Sequence, residues 1–304
     1  MRNPIAVMVA VALLSAGCAA PGDAPPDADP PQAVILIVVD TLRPDHLSCY
    51  GYDRHRTANV DRLAAAGVLF GNAQAAASWT IPSMGSMLTS RYPTQLGMIE
   101  TPGEPDHRFA WRDVRTMHSY AIPDEALTLA EVFRDAGWTT AAFVNQPGLN
   151  AKEGFQQGFD DWFYPVTAGE IGRYDPATPL EEKRWSPFLT NAALLDAGLA
   201  QEFDKWMAAH EGRPVFAWLH FLTPHTPYIP VPQYLPEGVT PQSATHQDAY
   251  DAEIRFLDDV IGHVLNVIEA RVGLDSSLVV FTSDHGEAFG EHGMVGHGHS
   301  LHGE

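Results

Sequence analysis

From Ala33 to Val39 the chain is apolar at every position and mostly β-branched, and the run stops at Asp40. An unbroken run of that kind predicts a strand buried on both faces. Helical spacing follows over Thr57–Ala66, with Gly67 as its stop, and again over Ala126–Ala136, closed by Gly137. Trp138–Val144 reads as the next strand and Asn191–His210 as a longer amphipathic helix. Val215–Leu222 returns to strand, His246–Val272 to helix, and Ser277–Ser283 is the last clear strand. Strands alternating with helices predict an α/β fold, a mainly parallel central sheet with helices on both faces.

Open parallel sheets bind ligands beyond the carboxyl ends of their strands. Those ends carry Asp40, Asn145, His220 with His225 close behind, and Asp284-His285. Asp40, Asp284 and His285 form the best constellation. Two carboxylates and an imidazole suit Zn²⁺ or Mn²⁺ better than Ca²⁺, which prefers oxygen alone. A nucleophile candidate lies in Ser78-Trp79-Thr80-Ile81-Pro82-Ser83, where Pro82 can open a helix. Thr80 would sit just before that helix, where free N–H groups favour an anion. It is either a hydroxyl for metal-assisted attack on phosphorus or sulfur, or simply an N-cap.

Composition narrows the partners. The 304 residues are 45% apolar, enough for a sizeable core, and carry 18 basic against 38 acidic side chains, a net charge of −20. A phosphate backbone needs a basic footprint, so nucleic acid is excluded as a partner. Two cysteines rule out a disulfide framework or a Cys-rich zinc site. Five of the fourteen histidines fall in the last twenty residues. The pattern specifies no oligomeric state.

The start of the chain is an address. Arg2, an apolar stretch from Ile5 to Leu14, and Ser15-Ala16-Gly17-Cys18 predict a signal peptide over residues 1–17, too short for a comfortable transmembrane helix. Small residues leading into Cys18 resemble a bacterial lipoprotein cleavage box. That resemblance implies a lipidated Cys18 and a place in the bacterial cell envelope, facing the periplasm or exterior. An ordinary signal peptide cleaved nearby is the other reading. Residues 18–32, rich in Pro, Ala and Asp, read as a disordered tether.

Several segments together resemble the sulfatase family of the alkaline phosphatase superfamily, metal-dependent ester hydrolases. They are Val38-Val39-Asp40-Thr41-Leu42-Arg43-Pro44-Asp45-His46-Leu47 with Cys49-Tyr50-Gly51-Tyr52, and Asn59 to Phe70, matching a helix and a strand. Thr80-Ile81-Pro82-Ser83 with Leu88-Thr89-Ser90-Arg91-Tyr92-Pro93 matches the nucleophile segment. Gly137-Trp138-Thr139-Thr140, Pro224-His225-Thr226-Pro227-Tyr228 and Ser283-Asp284-His285-Gly286-Glu287 complete the series in the family's order. The resemblance implies a catalytic domain over residues 33–304. The chain stops at Glu304, within what should be the active-site loop, so that domain is expected to be truncated at its C-terminus.

The departures from that family concentrate at the site. Sulfatases make formylglycine from Cys or Ser where this chain has Thr80, and their following arginine is Met84. A doubled Asp is reduced to Asp40-Thr41, an Asn after the late metal Asp is His285, and a Lys-Trp-His run is Asn145-Gln146-Pro147. No lysine follows Lys205. The resemblance then implies Asp40, Thr80, Asp284 and His285 as metal ligands with Thr80 as nucleophile. It implies His225, as a contact or proton donor to the ester, and His292 as catalytic residues beside Thr80, and His297 as a metal ligand, with His225, His292 and His297 able to build a second ion site. One or two divalent ions and a small anionic ester substrate follow. Two readings result: a lipid-anchored hydrolase of sulfate or phosphate esters, or a non-catalytic envelope lipoprotein that binds a metal or an anionic ligand. Asp258, Asp259 and Gly262 are expected to pack and His263 to face solvent; Trp111 and Trp162 are expected in loops, and residues 99–123 as a cover over the site.

Overall fold

The computed structural model describes residues 29–98, 100–102, 115–117, 121–167, 170–173 and 191–298. The leader, Cys18, the tether up to residue 28, Trp111, most of the expected cover, His299, His302 and the final residues lie outside them.

Strand β1 (Ala33–Val39) is buried at every position, as its apolar run requires. Helix α1 (Ala58–Ala66) and helix α2 (Thr80–Thr89) follow, then a short antiparallel pair, β2 (Glu100–Pro102) and β3 (Arg115–Met117). Next come α3 (Leu129–Asp135), β4 (Thr139–Val144), β5 (Asp161–Thr167), β6 (Glu170–Arg173), α4 (Ala192–Ala209) and β7 (Val215–Phe221). Helix α5 (His246–Arg271), β8 (Ser277–Ser283) and the small hairpin β9 (Ala288–Phe289) and β10 (Val295–Gly296) are the last elements among the described residues. The central sheet has six strands in the order β6-β5-β4-β7-β1-β8, all parallel except the β5–β6 pair.

Alternation along β1 explains the layers, because successive side chains leave opposite faces. Ile35, Ile37 and Val39 share a core with Leu199 and Phe203 of α4 and Ile254, Leu257, Ile261 and Ile268 of α5. Val34, Leu36 and Val38 pack instead with Met84 and Leu88 of α2 and Phe133 of α3. Full burial of each such aliphatic side chain contributes about 1.5–3 kcal/mol. The expected α/β sheet with helices on both faces is the observed one.

Three expectations need correcting. Val68, Leu69 and Phe70 form no strand and are 79%, 44% and 67% exposed. Among the described residues no strand pairs with them. Trp162 is not in a loop but in β5, 4% exposed and packed edge-on against Trp218 at 5.7 Å. The β5–β6 hairpin was not expected at all. Pro165 interrupts its strand pattern, and the ladder accommodates that residue with a register shift between Pro165 and Thr167. Helix α3 starts at Leu129 rather than Ala126, because Thr128 and Glu131 form a reciprocal cap. Asp258 accepts from the Asn59 and Val60 N–H groups at the start of α1, and Gly262 abuts the Asn59 side chain, which are packing roles, while His263 is exposed.

Candidate active site

Register brings the site together. Val39 is level with Phe221 on one side and Ser283 on the other, and Val144 with His220. Asp40, Asn145 and Asp284 therefore leave the same edge of the sheet. By alternation Asp40 and Asp284 continue the face of Val38, against which α2 packs.

Three ligand atoms, one each from Asp40, Asp284 and His285, lie within 4.8 Å of one another, and all three residues are buried. Each carboxylate has one oxygen engaged and one without a hydrogen-bond partner, and His285 Nε2 meets the Thr80 hydroxyl. Asp40 Oδ2 accepts from Gln146 Nε2 at 2.7 Å, while Oδ1 has no hydrogen-bond partner. Asp284 Oδ1 accepts from His285 N at 2.8 Å and Thr41 N at 3.2 Å, while Oδ2 has none. His285 Nδ1 is 2.9 Å from Gly286 O, an acceptor only, so Nδ1 carries the proton and Nε2 presents its lone pair. That Nε2 is 3.5 Å from Asp40 Oδ1 and 3.5 Å from Asp284 Oδ2. Buried carboxylate oxygens without partners cost free energy. A divalent cation would satisfy both and the imidazole, so the donor set fits such an ion. Burial alone would raise the Asp284 pKa, but positive charge on the His285 and His220 rings, when they are protonated, and the Thr41 N–H outweigh it and lower it below the usual carboxylate range.

Thr41 shows how the backbone serves this arrangement. Its φ is +58°, a left-handed conformation that a β-branched residue adopts only at a cost of order 1–2 kcal/mol. The turn it makes aims its N–H at Asp284, and Tyr250 holds it there by donating to Thr41 O at 2.7 Å.

Thr80 lies in the first turn of α2 rather than just before it, with Trp79 as the extended residue ahead of the helix. It is 6% exposed, and its Oγ1 is 3.2 Å from His285 Nε2 and 3.5 Å from Asp40 Oδ2. The N-cap position belongs to Trp79, and the Thr80 hydroxyl faces Asp40 and His285. Ser83, one turn further on, donates to Asp284 O at 2.6 Å and fixes the helix against the end of β8.

The other histidines fall in two groups. His225, His297 and His285 form a chain of rings, with centroids 5.0 Å apart for the first pair and 4.6 Å for the second. His297 Nδ1 is 3.0 Å from Glu287 Oε1; burial alone would lower its pKa, but Glu287 outweighs that and raises it. His225 Nδ1 donates to Thr226 O at 2.6 Å. His292 is exposed, at φ +53°. Among the described residues the group of three or more close ligands is Asp40, Asp284 and His285, and His225, His292 and His297 do not belong to it. Asn145 also misses the site: one residue past Val144 it leaves the opposite face, where Nδ2 donates to Asp196 Oδ1 at 2.6 Å. Gln146, restored to the first face, takes its place, and simple alternation counted from Val144 finds it. Ser83, Thr41 N–H and Glu287 carry no such signal in the sequence.

The fold is that of the alkaline phosphatase and sulfatase-like proteins. A solved phosphonate monoester hydrolase of Agrobacterium radiobacter superposes with a TM-score of 0.60 at 21% identity, covering 88% of this chain and 64% of that one. The family model described as Sulfatase matches residues 32–304, and the chain belongs to the sulfatase family. Among its relatives, human N-acetylgalactosamine-6-sulfatase is 28% identical over 85% of this chain and 50% of its own length. The ulvan-active sulfatase of Formosa agariphila is 27% identical over 95% of this chain and 57% of its own length. The chain thus spans about half the length of these relatives. Members of the family use a divalent metal, in keeping with the close ligand atoms of Asp40, Asp284 and His285.

Proposed function

We propose that this chain carries the centre of a metal-dependent hydrolase of sulfate or phosphate esters, with Thr80 Oγ1 as nucleophile. The observation that carries this reading is the Thr80 hydroxyl, buried 3.2 Å from His285 Nε2 beside the open oxygens of Asp40 and Asp284. A divalent ion held by Asp40, Asp284 and His285 would supply Lewis acidity, lowering the pKa of a neighbouring hydroxyl and offsetting negative charge on the ester. Thr80 Oγ1 then gives up its proton to solvent and attacks the sulfur or phosphorus. The bond from that atom to the ester oxygen breaks, and the departing oxygen takes a proton from His225 or His297. Glu287 raises the His297 pKa against the effect of burial, which favours the protonated ring that such a donor needs. Water next attacks the covalent ester on Thr80, releasing the inorganic anion and restoring the hydroxyl.

Thr80 bears on the choice of ester. A threonine cannot become formylglycine, the arginine and lysines expected for sulfate are absent from the matching positions, and these departures favour phosphorus esters. The names of the relatives favour sulfate. In the same reading the chain is exported and tethered to the envelope through Cys18.

The test is turnover of aryl sulfate, phosphate monoester, phosphodiester and phosphonate by the full chain loaded with Mn²⁺ or Zn²⁺. Thr80→Ser should keep measurable activity and Thr80→Ala should lose about 10³-fold or more. Wild-type rates in Thr80→Ala would remove the nucleophile assignment. A metal-loaded wild type inert on all four esters would favour the non-catalytic binding reading. Aryl sulfate cleaved faster than every phosphorus ester would overturn the preference.

A further inference from the structure

His220 is the sixth residue of β7, and its side chain is completely buried. It sits between Val38 and Val144 in register, on the sheet face that carries Asp40 and Asp284. Trp218 meets its ring edge-on at 5.9 Å. Neither ring nitrogen has a hydrogen-bond partner. A neutral imidazole always has one N–H donor and one acceptor, and leaving such a group buried and unpaired costs about 1–3 kcal/mol. An apolar residue would fill this place more cheaply, so the packing core does not account for the histidine.

The acceptor facing it does. His220 Nε2 lies 3.7 Å from Asp284 Oδ2, the oxygen that has no partner of its own. Oδ1 of the same carboxylate is already held by two backbone N–H groups, from Thr41 and His285. Oδ2 has two lone-pair directions, and one must face His285 Nε2 and Asp40 if an ion is to be bound there. The other is open to His220. Its distance is a few tenths of an ångström beyond a hydrogen bond, a gap that a small ring movement closes. His220 also lies outside the group of close ligand atoms, which argues against direct coordination.

We propose that His220 is a positioning residue for the metal centre: its Nε2–H holds Asp284 Oδ2 so that the remaining lone pair of that oxygen faces the ion. The inference rests on the metal-binding reading given above. An outer partner of this kind typically contributes 10–100-fold in metal affinity. Because it donates to a ligand oxygen without touching the ion, its loss should weaken binding and leave the fold of the metal-free protein intact.

The experiment compares Mn²⁺ and Zn²⁺ affinity, by competition with a fluorescent chelator, in wild type, His220→Leu and His220→Gln, with the melting temperature of each in EDTA. His220→Leu should bind 10–100-fold more weakly while melting at or above the wild-type temperature in EDTA, since leucine removes two unpaired polar atoms. His220→Gln, whose amide N–H reaches towards the same oxygen, should recover most of the affinity. Binding by His220→Leu within threefold of wild type overturns the proposal, as does a His220→Gln variant as weak as the leucine variant. Should the leucine variant not fold, ¹⁵N-histidine spectra of wild type decide: a His220 Nε2–H tautomer perturbed on Zn²⁺ loading supports the role, and an Nδ1–H tautomer overturns it. A wild type that binds neither ion fails the metal reading itself, and His220 with it; a wild type that binds while His220→Leu binds equally fails only His220.

Discussion

Asp284 and Asp196 are both fully buried beside the carboxyl end of the central sheet, and both carry structure on their carboxylates. Asp196 accepts from Leu222 N at 3.1 Å, Thr223 N at 2.8 Å and Asn145 Nδ2 at 2.6 Å. Its oxygens are both engaged, and they tie α4 to the loop that leads into His225. Burial pushes its pKa up to about 6 despite those donors. Asp284 spends only Oδ1 on the backbone, leaves Oδ2 open, and is held below the usual carboxylate range. Equal burial therefore gives one acid an architectural role and the other a chemical one. An open oxygen alone does not mark the difference. Glu253 also has one, at Oε2, yet no group of close ligands surrounds it among the described residues. What distinguishes Asp284 is that its open oxygen lies in one close group with the open oxygen of Asp40 and the Nε2 of His285.

The sharpest way to break this comparison is to remove each acid in turn. Asp284→Ala should lower Mn²⁺ and Zn²⁺ affinity by more than about 100-fold, beyond the cost of losing an outer partner. Asp196→Asn should leave affinity within threefold of wild type. In thermal melts, an ion at about a hundredfold excess over the wild-type Kd should add about 2.7 kcal/mol to wild type and to Asp196→Asn, and less than about 0.4 kcal/mol to Asp284→Ala. Equal metal loss in both variants, measured by competition titration, would erase the distinction.

A second effect follows from pKa. The folded-state pKa of Asp196 lies above its unfolded value of about 3.9, so folding favours the protonated acid. Its contribution to stability is then full below about pH 4 and is lost as pH rises to about 6. The difference in unfolding free energy between wild type and Asp196→Asn should fall by about 2–3 kcal/mol across that window and stay flat above it. Asp284, held low, acts in the opposite sense and loses its contribution as pH falls. Denaturant titrations at several pH values check the sign.

The smallest expected effect concerns Thr41. Asp tolerates a left-handed conformation better than Thr does, and Thr41→Asp restores the doubled Asp that the sulfatase resemblance implies. Affinity for Ca²⁺ relative to Mn²⁺ should rise by about tenfold, because the added ligand is a hard oxygen. Isothermal titration with both ions reads this directly, and an unchanged ratio would mean that position 41 does not face the ion.

Much of this was written in the chain. The apolar runs of β1 and β7 are long enough to demand burial on both faces, and the helical spacing around them dictates a parallel sheet. Given that sheet, acids at Asp40 and Asp284 must emerge at one edge, and alternation alone separates Gln146, on the site face, from Asn145, on the other. Local pattern carries that information because it depends only on the period of a strand. It does not say which oxygen of a buried carboxylate stays unpaired, since that depends on a donor distant in the chain, the Thr41 N–H reaching Asp284 at a separation of 243. Nor does it place Ser83 against Asp284 O, bring His220 Nε2 to Asp284 Oδ2, or leave Val68–Phe70 without a neighbouring strand. Tertiary structure decided these, because hydrogen-bond satisfaction is settled only when distant elements pack and water has gone from between them.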